Sequence, residues 1–266
     1  MKKSVLSSQA PPPGPFLKRA LMAVSRQAER DIDLLSGADR QMRVHALRVR
    51  MKKLRALLPL IETGVSPATM EAIRSDMRTL KKAFARNRDQ QVMESLLAEL
   101  SQEKGAATRA YVRVENQTAP EAWLCELKAT ACSLTRRLRS LRLRSLTRTA
   151  VCAAYVRSFA KARRRYKRCK KKPVPEQMHR WRLLVKDHYF QTLMLLRDRR
   201  RCELSKTLGR LLGKIHDLAM LRDHLSNGMS EDLVRVIGRR MKKLRSSAFR
   251  KARRLFACTP AKLVPA

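Results

Sequence analysis

The chain has 266 residues, 44% of them hydrophobic, and 61 Lys and Arg against 22 Asp and Glu give a formal net charge of +39. The apolar share suffices for one large domain or two small ones. An excess charge of this size repels itself unless salt or a polyanion offsets it, which leaves nucleic acid, an anionic membrane surface and polyphosphate as partner classes. Gly is scarce at 8 residues, and the abundant Leu, Ala, Arg, Lys and Met are good helix formers. No segment alternates as a strand would, so the expected fold is all-α.

Residues 1–15 form a Pro-rich leader, Pro11-Pro12-Pro13 included, and are expected to be disordered. A helix is expected from near Phe16 to Gly37. Asp39 can cap the next, which runs to about Thr63 with Gly64 as its stop. Ser66-Pro67 reads as an N-cap and first helical residue, opening a helical stretch that continues to Lys104 with a possible break near Asn87. Gly105 ends it, and a short segment follows to about Glu115.

Thr118-Ala119-Pro120-Glu121 is a capping-box pattern that opens the second half. Breaks are expected near Leu146 and Lys172, and Pro173 and Pro175 force a turn before Glu176. Asn227-Gly228 is a further stop and Ser230-Glu231-Asp232 a further start. The last helix runs to about Cys258. The expected organisation is a leader at 1–15, a first helical bundle at 16–118, a second at 119–258 and a tail at 259–266.

The charge is uneven. From Leu127 to Pro175 there are 17 Lys or Arg and no acid, and from Leu233 to the end there are 11, again with no acid. The six cysteines, Cys125, Cys132, Cys152, Cys169, Cys202 and Cys258, form no C-x-x-C pair. They read as reduced thiols used as small apolar residues in the cytosol rather than as zinc or redox motifs. Met1-Lys2-Lys3 lacks the apolar run of a secretory signal. No stretch approaches the ~20 apolar residues of a transmembrane helix.

The most informative segment is Val44–Leu58. Val44, Leu47, Met51, Leu54, Leu58 and Ile61 recur at three and four residues and make one apolar stripe. His45, Arg48, Lys52 and Arg55 make a second stripe, one residue further round. The pattern returns 134 residues later, with Met178, Trp181 and Val185 as the apolar row and His179, Arg182, Lys186 and Tyr189 as the ladder. Asn87-Arg88-Asp89 resembles Ile215-His216-Asp217 at an offset of 128. Two related halves should form two packed bundles. A charged helix face is by default a solvated one, but two matched rows of like charge repel along the helix and call for an outside anion.

Val44-His45-x-Leu47-Arg48-Val49-x-x-Lys52-Lys53-Leu54-Arg55-x-Leu57 resembles the first signature of the CHAD family, the conserved histidine α-helical domain. Met178–Phe190 resembles the second, and Leu211-Leu212-Gly213-Lys214-Ile215-His216-Asp217-Leu218-Ala219 resembles a later Leu-Gly-x-x-His-Asp-Leu element. The resemblance spans about residues 16–257. It implies two helical bundles related by a pseudo-twofold axis around a basic central channel. It also implies binding of inorganic polyphosphate there and a cytoplasmic place at polyphosphate granules. Some members are fused to CYTH-type triphosphatases.

Carried over residue by residue, the binding set is His45, Arg48, Lys52, Lys53 and Arg55 with His179, Arg182 and Lys186. Arg88, Asp89, His216 and Asp217 are supporting residues. The second signature departs from the family at Tyr189 and Asp187, where many members are basic, and His188 interrupts its apolar row.

Arg binds phosphate oxygens in a planar, bidentate fashion and Lys as a point charge. A fixed row of both can replace the counterions of a phosphate chain, with affinity falling as salt rises. His45 and His179 lie among cations that disfavour their charged form, so binding should tighten as pH falls through the His range. The reading requires that the protein's own carboxylates not cap the ladder. His216-Asp217 and Arg88-Asp89 could be proton-transfer dyads, but they read better as carboxylates that orient basic side chains, since no nucleophile or metal cluster accompanies them.

No cofactor, metal site or catalytic residue is expected. A polyphosphate-processing enzyme would need carboxylates for Mg²⁺, and neither an alternating Glu-x-Glu-x-Lys nor a Walker A loop is present. Nonspecific RNA or DNA binding is the main alternative, although aromatic residues, at 5%, offer few stacking platforms. Membrane insertion is not expected, because Arg157–Lys172 holds few large apolar residues.

Overall fold

The computed structural model describes residues 5–6, 10–37, 39–83, 121–196, 198–224 and 231–258. Among these the chain is helical with no strand. The helices are α1 (Pro13–Asp33), α2 (Arg40–Ile61), α3 (Pro67–Ala83), α4 (Glu121–Ser140), α5 (Arg148–Lys171), α6 (Pro175–Leu195), α7 (Arg199–His224) and α8 (Glu231–Leu255). A single 3₁₀ turn, Glu62–Gly64, follows α2.

The ends are set by local chemistry. Ser66 accepts from the Thr69 amide at the start of α3, and Thr147 accepts from the Ala150 amide at the start of α5. Pro175 supplies the first residue of α6. Asp39 precedes α2 without a side-chain cap. The break between α6 and α7 has no Gly or Pro to announce it; Asp198 caps α7 by accepting from the Arg201 amide at 2.9 Å. The expected features between residues 84 and 120 and between 225 and 230, and the tail at 259–266, lie outside the described residues.

Packing divides the helices into α1–α4 and α5–α8. In the first group α1 lies on α2 and α4, and α3 lies on α4. The Asp31 carboxylate, buried on α1, is 3.3 Å from Arg50 and 3.7 Å from Arg43 of α2. Ser25 and Thr135 share a buried hydrogen bond between α1 and α4, and Asp76 of α3 accepts from Ser133 and Arg137 of α4. The segment 121–140, expected to open the second bundle, therefore belongs by contact with the first. Its inward residues Leu127, Ala131, Leu134 and Leu138 complete that core. In the second group α6 packs on α5 and α7, and α8 packs on α7 and α5. The groups meet where α2 lies against α6 and, to a lesser extent, α5.

Two close contacts join the pieces. Gly14 at the start of α1 abuts the backbone of Leu143, where a Cβ would come within 1.8 Å of the carbonyl oxygen, and Lys18 donates to the Leu141 carbonyl. The leader is not wholly loose either. Leu6 is 2% exposed, the Val5 amide donates to the Leu195 carbonyl at 2.9 Å, and Arg148 donates to the Ala10 carbonyl. The expectation of disorder thus fails at Val5, Leu6 and 10–15. The composition of the leader is polar, but its one apolar pair has core to bury in.

Candidate functional site

The apolar stripe of α2 faces inward as its spacing requires. Leu47, Met51, Leu54, Leu58 and Ile61 are buried and Val44 is half-buried. One residue round, His45 is exposed, and Arg48, Lys52 and Arg55 are half-buried, as is the neighbouring Lys53. Burial first, and the Arg50 charge second, hold the Lys53 amine below its ordinary value.

On α6 the inward row is Met178, Trp181 and Val185, all buried. Its basic row lies against α7. The His179 and His216 rings are 4.3 Å apart, centroid to centroid. Arg182 is 7% exposed and lies 3.9 Å from Asp217. A Cβ on Gly213 would stand 3.3 Å from the Arg182 guanidinium, and one on Gly209 would stand 3.6 Å from the Lys186 stem. These two α7 glycines, four residues apart, leave room for two α6 cations that are also four residues apart. The second ladder and two of its expected supporting residues, His216 and Asp217, are therefore brought together. The other two, Arg88 and Asp89, lie outside the described residues.

The halves touch through charged and polar contacts. Arg55 of α2 donates to Asp187 of α6 at 2.7 and 3.1 Å, and the Gln191 amide donates to the Ala56 carbonyl at 2.7 Å in a buried contact. Burial pushes the Asp187 carboxyl up, against the pull of Arg55. Two ladder cations, Arg55 and Arg182, thus have carboxylates of the protein beside them, contrary to the expectation that the ladder be left uncapped.

The sequence profile of the CHAD domain matches residues 19–226. The chain belongs to the CHAD family. No match was found among the curated proteins or the solved structures. The two His-led rows of this CHAD chain sit on α2 and α6, the helices that join its two groups.

Three features were not read from the sequence. His188, which breaks the apolar row in the sequence, is fully buried; it stacks on Tyr155 and meets Phe159 edge-on, each at 5.1 Å. Its ring is pushed down to about 3, by burial first and by Arg201 second, so it is neutral. Asp187 is the ladder's own counterion. Gly209 and Gly213 make space for cations, and their spacing of four, matched to Arg182 and Lys186, was the available signal. All six cysteines are free thiols. Burial pushes Cys169 and Cys202 up to about 11, which leaves them poor nucleophiles. Among the described residues no helix is long and apolar enough to cross a membrane.

Proposed function

We propose that the chain binds inorganic polyphosphate between its two halves, as a binding protein rather than an enzyme. One observation carries this reading. The helix bearing His45, Arg48, Lys52 and Arg55 packs directly on the helix bearing His179, Arg182 and Lys186, so basic residues far apart in sequence are carried on neighbouring helices. The family is associated with polyphosphate binding, which agrees. The pseudo-twofold relation and a central channel belong to the same reading, with α2 and α6 as its lining.

The parts differ in reach. His45 is exposed, and Arg48, Lys52, Lys53 and Lys186 are half-buried; these would meet phosphate oxygens. Arg182 is too deeply set for more than a long-range role, held between Asp217 and Gly213. Asp217 serves as the orienting carboxylate, much as an outer partner orients a ligand. A site at granules in the cytoplasm fits this activity.

The test is a thermal melt with and without polyphosphate. A ligand at a hundredfold its Kd stabilises by ~2.7 kcal/mol, which raises the midpoint by roughly 5–11 °C for a domain of this size. The double variant Arg48→Gln/Lys52→Gln should lose most of that rise while keeping its helical signal. An undiminished rise in the variant, or phosphate release by the purified protein with Mg²⁺, would overturn the proposal.

A further inference from the structure

The acid-free stretches of the second half are not used by the α2–α6 site. On α5, Arg157, Lys161, Arg164, Arg168 and Lys171 step by four, three, four and three, and all five are exposed. They span about 21 Å at ~1.5 Å per residue. They lie across the helix from its buried residues Tyr155, Phe159, Ala162 and Cys169. Among the described residues, none of the five is within ion-pair distance of a carboxylate.

The neighbouring α8 repeats the design. Arg239, Lys242, Arg250 and Arg253 are exposed, with exposed Ser246 between them, opposite the buried Ile237, Met241, Ala248 and Ala252. The two helices are pinned together by an aromatic layer in which Tyr166 of α5 lies 6.3 Å from Phe249 and 5.6 Å from Phe256, and Trp181 stacks beneath on Phe249 at 5.9 Å. Each basic row lies opposite the buried face of its own helix, and the two helices are in contact.

We infer that the outer face of α5 and α8 is a second polyanion surface that takes the backbone of double-stranded nucleic acid without reading its sequence. A duplex carries one charge per ~1.7 Å of axis on two phosphate rails, which suits basic rows on two neighbouring helices better than a single linear chain would. Single strands are held by aromatic stacking as well as charge, and among the described residues no aromatic side chain is exposed. A membrane surface would favour apolar residues that insert beside the cations, and Val234 is the one exposed large apolar side chain on α8 among the described residues. The inference stands apart from the polyphosphate reading and can fail without it.

The test uses the full chain and duplex DNA of arbitrary sequence, about two helical turns long, followed by fluorescence anisotropy over a salt series. The variant Arg157→Gln/Lys161→Gln/Arg164→Gln/Arg168→Gln/Lys171→Gln keeps good helix formers throughout. It should bind duplex at least tenfold more weakly near 0.1 M salt, and its log–log salt slope should be shallower by about 3, at ~0.9 for each phosphate no longer neutralised. Its melting rise with polyphosphate should persist. The Arg48→Gln/Lys52→Gln variant should do the reverse. If the α5 variant fails to fold, Arg239→Gln/Lys242→Gln/Arg250→Gln/Arg253→Gln on α8 reads the same surface. Undiminished duplex binding in both surface variants would overturn the inference. So would loss of both ligands together in every variant, or recruitment to phosphatidylserine vesicles with no duplex binding.

Discussion

Replacing His188 by Phe should flatten the acid side of the stability profile. The ring is fully buried, and burial holds its pKa near 3 against an ordinary value of 6.5. A histidine depressed in the folded state contributes stability that is complete above pH 6.5 and is lost as pH falls toward 3, because the unfolded chain takes up the proton first. Between pH 7 and pH 5 that linkage costs about 2 kcal/mol, or roughly 4–8 °C in midpoint for a domain of this size.

Phe suits the site because the ring already stacks on Tyr155 and meets Phe159 edge-on. The Thr192 hydroxyl keeps its bonds to the Tyr155 hydroxyl and the His188 carbonyl. Asp187 works the other way, since a carboxyl raised by burial gains relative stability on protonation, but both proteins share that contribution. The assay is a pair of melting curves for each protein at pH 7 and pH 5. The wild-type midpoint should drop by several degrees more than that of the variant. Equal drops would show that His188 is not the group that charges on unfolding.

Gly14→Ala should destabilise by about 3 kcal/mol, the upper end of overpacking costs, because the new Cβ meets the Leu143 backbone at 1.8 Å; an unchanged denaturation midpoint would refute the contact. Gly213→Ala should be tolerated, since only the flexible end of Arg182 stands at 3.3 Å and the helix gains up to ~1 kcal/mol in propensity. Gly213→Leu should expel Arg182 and lower the melting temperature, so equal melting of the two variants would count against that packing. Asp187→Asn should change stability by less than about 1 kcal/mol, because desolvation offsets most of such a pair's attraction. It should also tighten polyphosphate binding by releasing Arg55; calorimetric titration giving an unchanged Kd would remove Asp187 from any competing role.

Much of the fold was legible because period and punctuation agreed. The three-and-four spacing of Leu47, Met51, Leu54 and Leu58 defines an inward face that the structure buries, and Ser66-Pro67 and Pro173–Pro175 fall at helix boundaries. What escaped depends on partners distant in sequence. Nothing local tells that 121–140 completes the α1 side, since an amphipathic helix advertises its apolar face and not the surface that will cover it. His188 reads as an interruption because hydropathy counts a neutral, stacked imidazole as polar. Leu6 looks like part of a solvated leader because two apolar residues are too few to show a period. The ladder residues were legible as rows, but their counterions were not, because Asp187 and Arg55 lie 132 residues apart.

Those counterions bear on the charge argument. Among the described residues, Asp187 lies beside Arg55 and Asp217 beside Arg182. The carboxylates stand beside the cation that joins the halves and the one that is most buried, where an uncompensated charge would cost most. Asp217 therefore answers a folding requirement at Arg182. Asp187 does the same at the α2–α6 contact, while leaving Arg55 a partner that a stronger anion could displace. Burial weakens that hold by raising the Asp187 carboxyl. Arg48, Lys52, Lys53 and Lys186 are half-buried, where charge is screened less than at the surface, so a phosphate chain would find its attraction there less diminished by salt.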